Sequence, residues 1–77
     1  MPKFCVQPER DVLFDCVGEF AHQMKLRLLK QLRAGRSGWT DPAWANGADL
    51  ERRLLKNLKE KDMVDVANLA MFRWNAQ

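Results

Sequence analysis

Three carboxylates and one amide lie close together in the last third of the chain, at Glu60, Asp62, Asp65 and Asn68. Side chains three apart share one face of a helix, so the last three of these are expected on one face. Mg²⁺ takes carboxylate oxygens together with waters and substrate phosphates. Acids at a helix N-terminus also stabilise the helix itself, as a cap and through the dipole. The spacing therefore indicates either a helix cap or part of a metal site.

Basic residues are concentrated in the middle of the chain. Ten Lys or Arg stand against four acids between residues 25 and 61, although the net charge is only +3, and the first nineteen residues are mildly acidic. This asymmetry predicts an anionic partner, which could be nucleic acid, a nucleotide phosphate or an acidic protein face. A solvated basic face that keeps a small helical protein soluble explains it equally well. The residues that we expect at a partner-binding surface are Lys25, Arg33, Arg36, Trp39, Arg52, Arg53 and Lys56.

Trp39 and Trp44 lie in a glycine-containing stretch that breaks the helical period. One interpretation is that both rings cover the core of a helical hairpin. The other is that a Trp face beside Arg36 stacks on a nucleic-acid base.

The spacing of apolar residues predicts an all-α fold. Leu13, Val17, Phe20, Met24 and Leu28 recur at intervals of three or four and predict a long amphipathic helix over about 10–34. Gly18 within it suggests a neighbouring helix that passes close. We expect residues 1–7 to form an N-terminal arm and residues 35–48 to form a loop with one helical turn from Pro42 to Gly47, capped by Thr40 or Asp41. A second helix, capped by Asp49, spans about 50–60.

The final helix, over 63–75, is apolar on all sides and therefore expects cover on most of them. We expect a small helical bundle in one domain of 77 residues, with the long first helix packed on a two-helix C-terminal unit. A chain this short buries only about 60% of its unfolded surface. We therefore expect a dimer, formed through helix 63–75 or the apolar face of the first helix.

The two cysteines, Cys5 and Cys16, do not form a disulfide framework, and no signal peptide or membrane span is recognisable. This predicts a cytoplasmic protein without a membrane partner. His22 is expected at the surface, because one His and two Cys at unrelated spacings do not make a zinc site.

The order of features resembles the all-α nucleoside triphosphate pyrophosphohydrolases, the MazG-like group that includes phage dATP/dGTP diphosphohydrolase-like proteins. The resemblance covers roughly residues 20–74. It rests on Phe20-x-x-x-Met24, Gly38-Trp39, the leucine-spaced helix from Leu50 and, most specifically, Asp65-Val-Ala-Asn-Leu-Ala-Met71.

The resemblance implies two helices that each present two acids three apart, with four carboxylates holding Mg²⁺ against a nucleoside triphosphate. The second acidic pair corresponds to Asp62 and Asp65, and Asn68 to a substrate contact. The first pair corresponds to Asn57 and Glu60, so one ligand is missing and the chain resembles a truncated form. Glu60, Asp62 and Asp65 are the metal ligands that the resemblance implies.

Three functions are compatible with these patterns. The first is a small, phage-encoded helical interaction protein that inhibits or modulates a host protein or nucleoprotein complex through the basic and aromatic surface, without a cofactor. The second is a Mg²⁺-dependent nucleoside triphosphate pyrophosphohydrolase that is active as a dimer. The third is non-specific nucleic-acid binding, since a base-reading helix-turn-helix would have only Arg73 to contact bases.

Overall fold

The computed structural model describes residues 8–77, and all regular structure in this range is helical. The elements are α1 (Glu9–Arg33), α2 (Pro42–Ala45), α3 (Ala48–Lys59) and α4 (Met63–Asn75). The predicted all-α class is confirmed, with a long first helix, a short turn and two C-terminal helices. The predicted N-terminal arm, 1–7, lies outside the described residues.

Helix α1 ends in a Schellman motif built on a left-handed glycine. Gly35 has φ 88°, and its N–H donates to the Leu32 carbonyl at 3.0 Å while the Arg36 N–H donates to the Gln31 carbonyl at 3.1 Å. These two bonds satisfy carbonyls that the last helical turn would leave without a donor. They also fix the backbone of Arg36 directly beyond the helix end.

Helix α3 ends in the same motif, but with a lysine at the left-handed position. Lys61 has φ 63°, its N–H donates to the Leu58 carbonyl at 3.1 Å, and the Asp62 N–H donates to the Asn57 carbonyl at 2.9 Å. The chain then turns directly into α4, where the Asp62 side chain accepts from the Asp65 N–H at 3.1 Å. The predicted cap of the last helix at Asp62 is therefore confirmed.

The predicted cap of α3 at Asp49 is wrong. Gly47 is the N-cap and α3 begins at Ala48, so Asp49 lies within the first turn. Its carboxylate accepts instead from Trp44 Nε1 at 2.9 Å and from Arg53 Nε at 2.9 Å. The Asp49 carboxylate therefore binds the side chains of Trp44 and Arg53 and does not cap the N-terminus of α3.

Helix α4 is the centre of the fold, because it packs against α1, α2 and α3. Leu50 and Leu69 form a core with Ala45, against which Trp44 and Phe72 pack. The expectation that α4 is covered on most sides is only partly met. Trp74 is 74% exposed, and Met63 45%.

Among the four helices described, α1 packs only against α4. A helix rises 1.5 Å per residue, so the 25 residues of α1 extend about 37 Å while α4 extends about 20 Å. The first half of α1 therefore keeps much of its apolar surface in solvent, with Leu13 49% and Val17 68% exposed, although Val12 is only 3% exposed. A Cβ at Gly18 would meet no atom within 4 Å, so the close neighbour expected there is absent from the described part of the chain.

His22 is exposed, as expected. None of the helices between residues 8 and 77 combines the length and the apolar character needed to cross a bilayer.

Candidate functional site

The two carboxylates at the start of α4 are both bound by one arginine of α1. Arg27 Nη1 lies 2.8 Å from Asp62 Oδ2 and 2.9 Å from Asp65 Oδ1. The Asp65 backbone N–H and the Arg27 guanidinium together hold the pKa of Asp62 below its ordinary value of 3.8. The same hydrogen bond to Asp62, with Asp65 nearby, raises the pKa of Arg27. This cluster joins α1 to α4.

The donor set that would be needed for Mg²⁺ does not fit this arrangement. Asp62 and Asp65 are occupied by Arg27, and the exposed Glu60 at the end of α3 is not grouped with them. Within residues 8–77 no three His, Cys, Asp or Glu side chains converge as metal ligands. Asn57 cannot replace the missing carboxylate charge, since it is neutral and its amide donates to the Arg53 carbonyl at 2.9 Å.

Asn68 is the buried polar residue of α4, at 3% exposure. Its Nδ2 donates to the Met24 carbonyl of α1 at 3.3 Å. Its Oδ1 is buried and has no hydrogen-bond donor in the described chain. A buried acceptor without a donor costs about 1–3 kcal/mol, so this oxygen lowers the stability of the fold unless an N–H group reaches it.

The loop after α1 and the first turns of α2 and α3 enclose a cleft, which we call the tryptophan cleft. Four side chains line both of its adjoining parts: Arg36, Trp39, Trp44 and Arg53. The outer part has a volume of about 560 Å³. The inner part, about 70 Å³, is lined in addition by Gln31, Asn57, Asp65, Asn68, Leu69 and Phe72.

The aromatic rings of the tryptophan cleft are held by packing against α4. Trp39 stacks on Phe72 with ring centroids 5.7 Å apart and planes 8° apart. Trp44 meets the same phenyl ring at 6.0 Å, tilted by 56°. These two contacts with one phenyl ring hold both tryptophans against α4. Trp44 packs against the buried core, as expected, whereas Trp39 contacts it only through Phe72.

The two arginines of the tryptophan cleft differ in charge balance. Arg53 forms an ion pair with Asp49. The pKa of Asp49 is lowered mainly by the hydrogen bond from Trp44 and, to a smaller extent, by that from Arg53. Arg36 forms no ion pair with any residue from 8 to 77. An uncompensated guanidinium beside two tryptophan rings attracts a carboxylate or a phosphate that carries an apolar or flat group.

Of the seven residues predicted at a partner-binding surface, the structure brings three together in the tryptophan cleft: Arg36, Trp39 and Arg53. The other four are exposed but do not line it, and they are Lys25, Arg33, Arg52 and Lys56. Arg52 is paired with Asp49. The basic surface expected from composition is thus partly neutralised.

Two roles were missed by reasoning from sequence. Arg27 and Asp62 are 35 residues apart, and only the docking of α1 on α4 brings them together. Arg73 donates from Nε to the Ala45 carbonyl at 2.5 Å and from Nη2 to the Gly47 carbonyl at 3.1 Å. This arginine therefore holds the end of α2 against α4 and is engaged within the fold rather than offered to bases.

Comparisons of the chain with protein-family models, with curated proteins and with solved structures give no match.

Proposed function

We propose that this chain is a small helical binding module whose tryptophan cleft takes an acidic segment of a partner protein. The observation that carries the proposal is the convergence of Arg36, Trp39, Trp44 and Arg53 around one cavity. Three of these belong to the surface expected from sequence, and they come from different elements. The identity of the partner as a host protein, and a phage origin, stay hypotheses from the sequence.

The chemistry of the cleft favours a peptide with three features. A carboxylate suits Arg36, which has no counter-ion among residues 8–77. An apolar or aromatic side chain suits the rings of Trp39 and Trp44, since aromatic pairs prefer offset or edge-on contacts. A backbone N–H suits the buried Asn68 Oδ1, which lacks a donor in the described chain.

A nucleic-acid strand fits the same surface less well. Its affinity comes mainly from several cations that neutralise successive phosphates. Here the guanidiniums of Arg27, Arg52 and Arg53 are each paired with aspartates. The cleft offers one guanidinium without an ion pair, together with the carboxylate of Asp41, rather than a row of cations.

The test is a fluorescence-anisotropy titration with a labelled peptide of alternating Glu and Phe. Arg36→Glu should weaken binding by about tenfold or more, because a hydrogen bond to a charged group contributes about 1.5–3 kcal/mol. Lys56→Glu makes the same change in net charge outside the cleft and should weaken binding less than about threefold.

Equal effects of the two variants would show that the peptide responds only to the net charge of the protein, and would contradict the cleft as its binding site. A peptide with Gln in place of Glu should bind weakly. Tighter binding of oligothymidylate, with a steep salt dependence, would move the function to nucleic acid.

The Mg²⁺-dependent pyrophosphohydrolase stays a prediction of the resemblance. It requires Arg27 to release Asp62 and Asp65 when metal and nucleotide bind. Calorimetric binding of dATP that needs both Mg²⁺ and Asp65, and is lost in Asp65→Asn, would favour it over the binding module.

A further inference from the structure

Helix α1 carries an apolar stripe that the other helices described between residues 8 and 77 do not cover. Four large side chains of the stripe are strongly exposed: Phe14 63%, Val17 68%, Leu29 46% and Leu32 52%. At 100° per residue they fall within an arc of roughly 120°. The exposed Lys25 falls within the same arc, so the stripe has two apolar ends, Phe14 with Val17 and Leu29 with Leu32. Exposed apolar groups of this size on a small chain mark an interaction site, and they lie outside the tryptophan cleft.

The charges of α1 are segregated along its length. Its first part, 9–19, has four acids and one base, whereas 21–33 has four bases and no acid. Of those bases, Arg27 is engaged with α4, while Lys25, Lys30 and Arg33 form no ion pair within residues 8–77. A parallel copy of this helix would set like charges against each other, and an antiparallel copy sets opposite charges together.

We infer that the stripe docks on the same stripe of a second copy, with the two α1 helices antiparallel. An isologous contact of this kind closes on itself and needs no second surface. Asp11 and Arg33 lie equally far from residue 22 and on the same flank of the stripe, so each aspartate meets the partner's arginine. Near the midpoint, a Cβ at Gly18 would have no atom within 4 Å, which leaves room for close approach of the helices.

The size of the core supports a second copy as the occupant. Within residues 8–77 only Val12, Ala45, Leu50 and Leu69 are buried hydrophobic residues. A chain of this length buries too little surface for high stability by itself. Covering the stripe in a dimer removes four exposed apolar side chains of α1 from water.

The experiment is sedimentation equilibrium of the full chain and of variants that remain helical by circular dichroism. The unmodified chain should be a dimer at micromolar concentration, and Val17→Glu should weaken self-association at least about tenfold. Leu55→Glu is the matched control, since Leu55 is 64% exposed on α3, away from the stripe. It should leave self-association within about threefold of the unmodified chain.

Charge reversal tests the antiparallel direction. Asp11→Lys alone and Arg33→Glu alone should each weaken the dimer several-fold, and the double variant should restore it. Both changes oppose the dipole of α1, so a helix-stability effect would accumulate in the double variant instead of cancelling.

A monomer at submillimolar concentration overturns the inference. So does a dimer that Leu55→Glu disrupts and Val17→Glu does not, or a double variant without rescue.

Discussion

At the scale of single residues, Arg27 and Asn68 connect the two longest helices, the first through ion pairs and the second through a hydrogen bond to the main chain. Arg27 offers a charge to two carboxylates of α4. Asn68 offers its amide N–H to a main-chain carbonyl of α1 and keeps its own oxygen without a donor in the described chain. The first contact stabilises the fold, and the second leaves part of its hydrogen-bonding capacity unused.

Arg27→Ala should lower the free energy of unfolding by about 1–2 kcal/mol at pH 7, because it leaves two neighbouring half-buried carboxylates without a counter-ion. The pKa of Asp62 is lowered in the folded chain from 3.8. Its carboxylate therefore stabilises the fold above that pH, and the contribution is lost as the pH falls below it.

Urea unfolding at pH 7 and pH 3 measures this, with Lys30→Ala as a control that should change the free energy by less than about 0.5 kcal/mol. A loss in Arg27→Ala that is equal at both pH values would assign the effect to packing of the aliphatic stem instead.

Asn68→Leu should stabilise the folded chain and weaken its binding of the Glu–Phe peptide. The substitution removes a buried acceptor without a donor and fills similar volume with apolar groups, so the free energy of unfolding should rise by about 1 kcal/mol. Binding of the Glu–Phe peptide should fall, since the inner part of the tryptophan cleft loses its acceptor. Thermal unfolding and the anisotropy titration measure the two effects.

Asn75→Leu is the control for this substitution, because Asn75 makes a local bond to the Met71 carbonyl at 2.9 Å on the exposed side of α4. It should change neither quantity. A loss of stability in Asn68→Leu would mean that the hydrogen bond to the Met24 carbonyl contributes more free energy than the Oδ1 atom without a donor costs.

At the scale of elements, the two Schellman motifs determine where α1 and α3 stop. They share the same pair of backbone hydrogen bonds but differ in the residue that adopts the left-handed conformation, glycine at one and lysine at the other. The second motif also sets the angle at which α4 departs, and so the position of Asp62 relative to α1.

Lys61→Gly should raise the free energy of unfolding by about 0.5–1 kcal/mol, because the left-handed conformation costs a residue with a Cβ about 1–2 kcal/mol and glycine gives back part of this in chain entropy. Gly35→Ala should lower it by a similar amount at the corresponding position of α1. Thermal unfolding of the two variants should shift in opposite directions. A destabilised Lys61→Gly would show that the lysine side chain contributes something the backbone conformation does not explain.

At the scale of the whole molecule, the elements were more predictable than their arrangement. Helix bounds followed from apolar spacing and from Gly35, and the Asp62 cap followed from its position before an apolar run. Asp49 was misassigned because Gly47 is the N-cap, which leaves Asp49 in the first turn of α3. There its carboxylate binds Trp44 of α2 and Arg53 one turn further along α3.

The site was predictable only in part, for a related reason. The residue types at Arg36 and Trp39 suggested a basic, aromatic surface, and both residues line the tryptophan cleft, where Trp39 stacks on Phe72 of α4. No spacing rule pairs Arg27 with acids 35 and 38 residues away. Periodicity also predicted a buried face along all of α1, since it reports which side is apolar and not how far a partner helix extends.

The contact between α1 and α4 joins the first and last helices of the chain, and this order affects when it can form during synthesis. Every described attachment of α1 to another helix is to α4, through bonds such as that between Asn68 and Met24, 44 residues apart. On the ribosome α1 is complete long before α4, so the side of α1 that faces α4 in the fold is exposed to water until the hairpin of α3 and α4 has emerged and closed locally. Because docking of α1 closes the longer loop, we expect it to be the last step of folding within one chain.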